Sequence, residues 1–259
     1  MANLTRALVL GGGGLFGAYQ VGVWELLQRE FHPDMVVGAS IGSINGWAIA
    51  GGCPARDWTQ EWLSMGGREQ PRFRWPRSLF DGLFDTAAVE DFVRELMQRF
   101  PLRLRYGAVL TSIPDLQQKA FWNGDVTWRH ICASCGVPLV LKQYQLEGRW
   151  WADGGLLSAV PVQSAIAAGA NRIVAVDILP SRPPAPLRAG RIALRALAGY
   201  RPAAIPEDVR VVRIEPGEAL GRWIRTAVWD RDSIGAWIER GREDAERALV
   251  EMRRLEILD

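Results

Sequence analysis

Two apolar runs near the start of the chain, RALVL (Arg6–Leu10) and MVVGA (Met35–Ala39), each stop at a glycine-rich turn and hand over to a segment with helical spacing. A short apolar run that ends at glycine reads as a buried strand followed by a sharp turn. After the first turn, Val21, Trp24 and Leu27 recur at three-residue intervals, which puts them on one face of a helix. Strand–turn–helix units repeated along a chain admit few folds. They predict an α/β architecture with a mostly parallel central sheet flanked by helices, a three-layer sandwich.

The rest of the chain continues the pattern. Strands are predicted at RYGAVLTSI, QKAFWN, RWWADGG, RIVAVDI and DVRVVRIEP, and helices at IGSINGWAIA, ARDWTQEWLSM, DTAAVEDFVRELMQRF, VTWRHICAS, VPVQSAIAAGA and over Ser233–Leu255. Residues 1–259 read as one domain, with a motif-bearing core over about 5–180 and a C-terminal strand and amphipathic helix over about 205–255. The proline-rich stretch Ser181–Pro186 reads as a surface loop.

Composition removes several function classes. A net charge of +2 offers no broad basic field for nucleic acid. Three cysteines is an odd count that fits reduced thiols and a cytoplasmic setting better than a disulfide framework. The apolar run after Arg6 is broken by four glycines, which argues against a signal peptide. Met35–Ala55 is uncharged and about long enough to span a bilayer, but its glycines, Pro54 and Asn45 suit a buried strand–turn–helix better.

Three turns carry candidate chemistry. Gly12-Gly13-Gly14-Leu15-Phe16-Gly17 fits G-x-G-x-x-G between a strand and a helix. A dinucleotide site would also need an acid at the far end of the second strand. Asp34 instead stands before that strand, and Gly38-Ala39-Ser40 occupies the end. The glycine loop is therefore read as backbone donors for an oxyanion. Gly38-Ala39-Ser40-Ile41-Gly42 fits G-x-S-x-G in the strand–turn–helix context of a nucleophile elbow. Such a serine usually has a histidine to take its proton. His32 precedes the second strand and His130 falls inside a predicted helix, so neither is placed for that work. Asp153-Gly154-Gly155 follows RWWA and, in a parallel sheet, would end at the same edge as Ser40. Its carboxylate could act as base, although the pattern alone is equally an Asp-Gly turn. Cys132 and Cys135 form C-x-x-C, but with only Cys53 and His130 to complete a set they are read as packing thiols, and no metal is assigned.

Taken together, GGGGLFGAYQVGV, GASIGSINGWAIAGG, ASCGVPLV and WADGGLLSAVPVQSAIAAGANRIVAVD resemble the patatin-like phospholipase family over residues 5 to about 180. The resemblance implies a lipid acyl hydrolase with a serine–aspartate dyad and no cofactor. It implies Ser40 as nucleophile, Asp153 as proton acceptor and Gly12–Gly14 as oxyanion loop. Fatty-acyl ester or phospholipid substrates follow from it, and peripheral contact at membranes is expected from a mixed basic and aromatic segment. Phe16 departs from the Arg or Lys usual in the family, so restoring arginine is expected to preserve or raise activity. The departure also keeps a rival reading open, a lipid- or nucleotide-binding module with impaired catalysis. Finally, Arg68–Phe84 mixes Arg72, Arg74 and Arg77 with Phe73, Trp75 and Phe80. That mixture suits a patch at a lipid interface near the site, or an ordinary loop with its aromatics tucked into the core.

Overall fold

Alternation along the strands becomes a sheet with two apolar faces. The computed structural model describes residues 4–65, 73–78, 80–179, 185–222 and 227–258. Strands β1 (Arg6–Leu10), β2 (Met35–Ala39), β3 (Arg105–Ser112), β7 (Arg172–Val176) and β8 (Arg210–Ile214) run parallel in the order β3-β2-β1-β7-β8. Leu8 and Leu10 face one side with Val36, Val174 and Val176. Ala7 and Val9 face the other with Met35, Val37, Ile173 and Ala175. Successive side chains of a strand point to opposite faces, so a run apolar at every position must be covered twice.

The first face is covered by α1 (Gly17–Leu27), α2 (Ile41–Ala50), α3 (Ala55–Ser64), α4 (Ala87–Arg99), α5 (Trp128–Ser134) and α8 (Arg231–Arg254). The second is covered by α6 (Val162–Ala167), through Val162 and Ala165. Helix α7 (Ala185–Leu197) starts inside the stretch read as a loop. Residues 181–184 of that stretch lie outside the described residues. The reading missed α7 because its apolar positions are not core: Ile192 and Leu197 are exposed.

The sheet is less parallel than the alternation predicts. Strands β4 (Gln118–Trp122), β5 (Tyr144–Leu146) and β6 (Arg149–Asp153) all pair antiparallel. The cause is connection length. β5 and β6 are joined by Glu147 and Gly148 alone, both with positive φ (51° and 73°), a turn that can only reverse the chain. β3 and β4 are separated by five residues, too few for a crossover.

Strand β3 then organises the site. Its residues 107–111 pair with β4, 105–109 with β2 and 110–112 with β6. Because β4 overlaps both of the others, β2 and β6 must share the opposite edge of β3. They approach head-on along it, β2 ending at Ala39 beside Val109 and β6 at Asp153 beside Leu110. A Cβ on Gly154 would overlap the Val109 carbonyl and lie 3.3 Å from the Ala39 Cβ.

The C-terminal region is bound into this body. β8 extends the sheet beside β7, and α8 crosses α1 where Gly22 meets the Ile238 backbone and Gly241 meets the Tyr19 backbone. Buried Asp244 of α8 accepts from the Tyr19 hydroxyl (3.0 Å) and from Arg240 Nε (3.1 Å). Arg6 of β1 donates Nε to the Ile257 carbonyl at 3.1 Å.

Candidate active site

Ser40 is the first residue past β2 and stands at φ 55°, ψ −130°. A non-glycine residue there is strained by roughly 1–3 kcal/mol, and the chain turns abruptly into α2. The turn is held from several sides. The Ser40 carbonyl accepts from Ser43 N (2.8 Å) and Ser43 Oγ (2.6 Å). The Ser40 N–H donates to Ser134 Oγ at 2.9 Å, and that hydroxyl donates to the Val109 carbonyl at 2.7 Å. Ser134 thus bridges the place where β2 leaves β3. It lies in the quoted ASCGVPLV stretch but was given no role, because the sequence cannot say which strand end it faces. Ser134→Ala would leave two buried backbone groups unpaired, at roughly 1–3 kcal/mol each. We expect a denaturation midpoint lowered accordingly, and ester turnover reduced by more than tenfold as Ser40 loses its alignment. A cysteine at 134 should recover part of the turnover, and unchanged activity in Ser134→Ala would remove the residue from the site.

Asp153 ends β6, with its N–H on the Gly136 carbonyl (3.0 Å) and the Gly154 N–H on the Ser134 carbonyl (3.1 Å). Its side chain is 6% exposed. Oδ1 accepts the Gly155 N–H at 2.6 Å. Burial pushes the carboxyl up to about 6, and hydrogen bonds from the Ser40 hydroxyl and the Gly155 N–H oppose that rise. A parallel strand would also have ended with Asp153 at this edge. β6 is antiparallel, and the two residues meet because the strands collide end to end.

The glycine loop lies against Ser40. A Cβ on Gly12 would come within 2.9 Å of the Ser40 Cβ. Gly12 is not a free donor, however: its N–H goes to the Ala159 carbonyl at 3.0 Å, and that of Gly11 to Val176 at 3.0 Å. Of the three glycines expected to hold an oxyanion, this leaves the N–H groups of Gly13 and Gly14. Gly14 has φ 59°, a left-handed conformation that favours glycine. The remaining motif glycines allow close packing: Gly17 against Ile41 and Trp62, Gly38 against the Gly42 backbone, and Gly42 against the Leu10 carbonyl.

A buried polar network that sequence reasoning missed supports the loop from below. Gln20 donates to the Gly11 carbonyl (2.7 Å), and Asn45 donates to the Gly17 carbonyl and to Gln20 Oε1 (both 2.9 Å). Asn45 Oδ1 accepts from the indoles of Trp58 (3.0 Å) and Trp62 (3.1 Å). The only signal was a polar residue inside the apolar helix IGSINGWAIA. A network satisfied at every atom rigidifies what it holds.

Phe16 also needs reinterpretation. It is 1% exposed and packs edge-on to Trp237 of α8, with centroids 4.9 Å apart. Arginine there would bury a charge in an aromatic contact. The expectation that it would preserve or raise activity is withdrawn.

The histidines and thiols serve elsewhere. His130 Nδ1 closes a capping box with Thr127, accepting its N–H at 3.1 Å, and the ring rests on Phe121 at 4.6 Å. Burial lowers its pKa. His32 is exposed before β2, at the opposite end of the strand from Ser40. Burial pushes the Cys132 thiol up to about 12 and that of Cys135 well above its ordinary value. Asp34 accepts the Arg6 N–H at 2.7 Å, away from the ligand edge, which removes the dinucleotide reading.

Residues 8–166, more than half of the chain, match the family described as patatin-like phospholipase. The chain belongs to that family. Among curated patatin-like relatives, the Scheffersomyces stipitis protein named lysophospholipase NTE1 is 31% identical over 192 residues, covering 69% of this chain and 12% of its own length. The rat patatin-like phospholipase domain-containing protein 7 is 28% identical over 183 residues, 66% of this chain and 13% of its own. An NTE family protein of Mycobacterium bovis is 28% identical over 179 residues, 66% and 48%. The chain therefore spans less than half the length of these relatives. The crystal structure of VipD from Legionella pneumophila shares the fold, with a TM-score of 0.56 at 12% identity, covering 96% of this chain and 67% of that one.

Proposed function

We propose that this patatin-like chain is a serine acyl-ester hydrolase that acts on fatty-acyl esters through a Ser40–Asp153 dyad. One observation carries the reading: β2 and β6 meet end to end on one edge of β3, bringing a serine held at φ 55° to a buried aspartate whose carboxyl is pushed up to about 6 by burial and lowered in turn by the Ser40 hydroxyl. Such a carboxylate is mostly ionised at pH 7, yet more basic than an exposed one, which suits it to accept a proton. Ser40 Oγ attacks the acyl carbonyl while its proton passes to Asp153. The N–H groups of Gly13 and Gly14 receive the oxyanion, and Asp153 returns the proton to the departing alcohol. Asp153 then takes a proton from the water that attacks the acyl-serine, and gives that proton to the departing Ser40 Oγ, which frees the acid and restores the enzyme. The scheme calls on no metal or organic cofactor and on no nucleic acid.

Relatives named lysophospholipase support monoacyl phospholipids as the substrate class. The rival reading, an impaired binding module, rested on Phe16, which belongs to the core. We treat residues 1–259 as one domain, since β8 and α8 complete the body around the site. We place the protein in the cytoplasm, where its three free cysteines suit reducing conditions. Among the described residues no helix is long and apolar enough to cross a membrane.

An active-site-directed fluorophosphonate tests the proposal. It should label the wild-type chain at Ser40 and leave Ser40→Ala unlabelled, and lysophosphatidylcholine should release free fatty acid only with the former. A folded wild-type chain that resists the probe would defeat the hydrolase reading.

A further inference from the structure

We propose that an exposed apolar face beside the dyad is a docking surface for a phospholipid bilayer; this rests on the hydrolase reading above. The face joins two chain segments. Phe73, Trp75 and Leu83 come from the first, Val137, Leu139 and Val140 from the second. Trp75 is 81% exposed, Leu139 67% and Phe73 58%. The aromatics are therefore not tucked into the core, apart from Phe80, which stacks on Trp150 at 3.9 Å. Residues 68–72 and Leu79 lie outside the described residues.

Backbone hydrogen bonds weld the segments into one surface. Leu83 N donates to the carbonyls of Leu139 (3.1 Å) and Val140 (3.0 Å), and Arg74 N to Leu83 (2.9 Å). Phe73 packs edge-on to both Trp75 and Phe84, at 5.7 and 6.3 Å. The surface is also continuous with the site. Gly136, whose carbonyl holds the Asp153 N–H, directly precedes Val137, and Ser134 two residues earlier holds Ser40. A membrane against Leu139 therefore lies next to the chain that positions both dyad members.

Charge selects the occupant. Arg74 and Arg77 flank Trp75, the first half-buried and the second exposed. Two nearby carboxylates are each engaged by local backbone: Asp81 accepts the Arg77 N–H (2.9 Å) and Asp85 the Ala87 N–H (2.9 Å). Tryptophan with arginine is the composition that settles at the head-group level, indole in the interface and guanidinium on phosphate. A second copy of the chain fits less well. A two-fold contact would bring the same cations to both sides.

The test uses the full chain carrying Ser40→Ala, so that lipid is not consumed, with phosphatidylcholine vesicles with and without phosphatidylglycerol. Sedimentation should show binding that strengthens with the anionic lipid. Trp75→Ser/Leu139→Ser should weaken it by roughly tenfold or more, since each side chain loses interfacial burial. Arg74→Gln/Arg77→Gln should remove the dependence on phosphatidylglycerol. On the Ser40 background, Trp75→Ser/Leu139→Ser should hydrolyse a soluble butyrate ester at the wild-type rate, with an unchanged unfolding midpoint. Equal vesicle binding by parent and patch variant overturns the proposal. So does a parent that fails to sediment, or a patch variant whose change is from dimer to monomer. If vesicle binding follows the patch but the butyrate ester is not cleaved, the docking surface stands and the hydrolase reading falls.

Discussion

Replacing Asp153 with asparagine is expected to lower kcat/KM for a soluble ester by roughly a hundredfold to ten-thousandfold, the range that general-base catalysis contributes elsewhere. The amide keeps an acceptor for the Gly155 N–H but cannot take the Ser40 proton. His32→Gln and His130→Gln should each retain most activity, since the first side chain is exposed at the far end of β2 and the second caps α5. The acid limb of the pH–rate profile should fall below pH about 6, the level to which burial pushes the Asp153 carboxyl. It should persist in the His32/His130 double variant. If His130→Gln were as inactive as Ser40→Ala while still folded, the dyad would be wrong.

The same substitution has a second consequence of opposite sign. The folded carboxyl titrates at about 6, against 3.8 for an unperturbed aspartate. Between these values the native state binds more protons than the unfolded one, so stability falls as pH rises through the window. Above pH about 6 the ionised carboxylate costs the fold up to roughly 3 kcal/mol, at 1.36 kcal/mol per unit. Asp153→Asn removes that cost. Urea titrations at neutral pH should find the inactive variant more stable than wild type, with the difference shrinking towards pH 4. An asparagine variant less stable at every pH would mean that the ionised carboxylate is not the costly form.

The largest structural effect is expected at Gly22. In α1 its place is taken up to the limit by the backbone of α8: a Cβ would overlap the Ile238 carbonyl oxygen, and its carbon would lie 2.7 Å away. No rotamer relieves a clash between Cβ and backbone, so Gly22→Ala must part the two helices along Tyr19, Phe16 and Trp237. We expect a loss of roughly 3–5 kcal/mol, at the upper end for single substitutions. Gly235→Ala in α8 is the matched control. The nearest atom to its Cβ would be Leu63 Cδ2 at 3.9 Å, so the better helix propensity of alanine should stabilise by up to about 1 kcal/mol. Urea midpoints of the two variants should move in opposite directions. A near-neutral Gly22→Ala would mean that the crossing is looser than the geometry indicates. Because Phe16 ends the glycine loop and packs on Trp237, the unstable variant should also lose turnover before it unfolds.

What could be read from the chain alone was local. Arg6–Leu10 and Met35–Ala39 are strands because a short apolar run between turn residues has few alternatives. α2 follows Ser40 at once and is ended by Gly51-Gly52-Cys53-Pro54. The Ser40 turn itself was legible, since its small neighbours sit within two residues of it. Everything that depended on choosing a distant partner was not. The direction of β6 followed from a two-residue turn at Glu147-Gly148, and its meeting with β2 from the edge of β3 that β2 leaves vacant after Ala39. Ser134 as a bridge, the loss of Gly12 as a donor to Ala159, and Phe16 in the core rather than in the loop's service all depend on contacts between residues from 25 to over 200 positions apart. Periodicity and turn chemistry act through neighbours along the chain, whereas strand pairing and burial act through whichever surfaces the folded chain brings together, so the sequence determined the elements and the tertiary structure decided which of them met at Ser40.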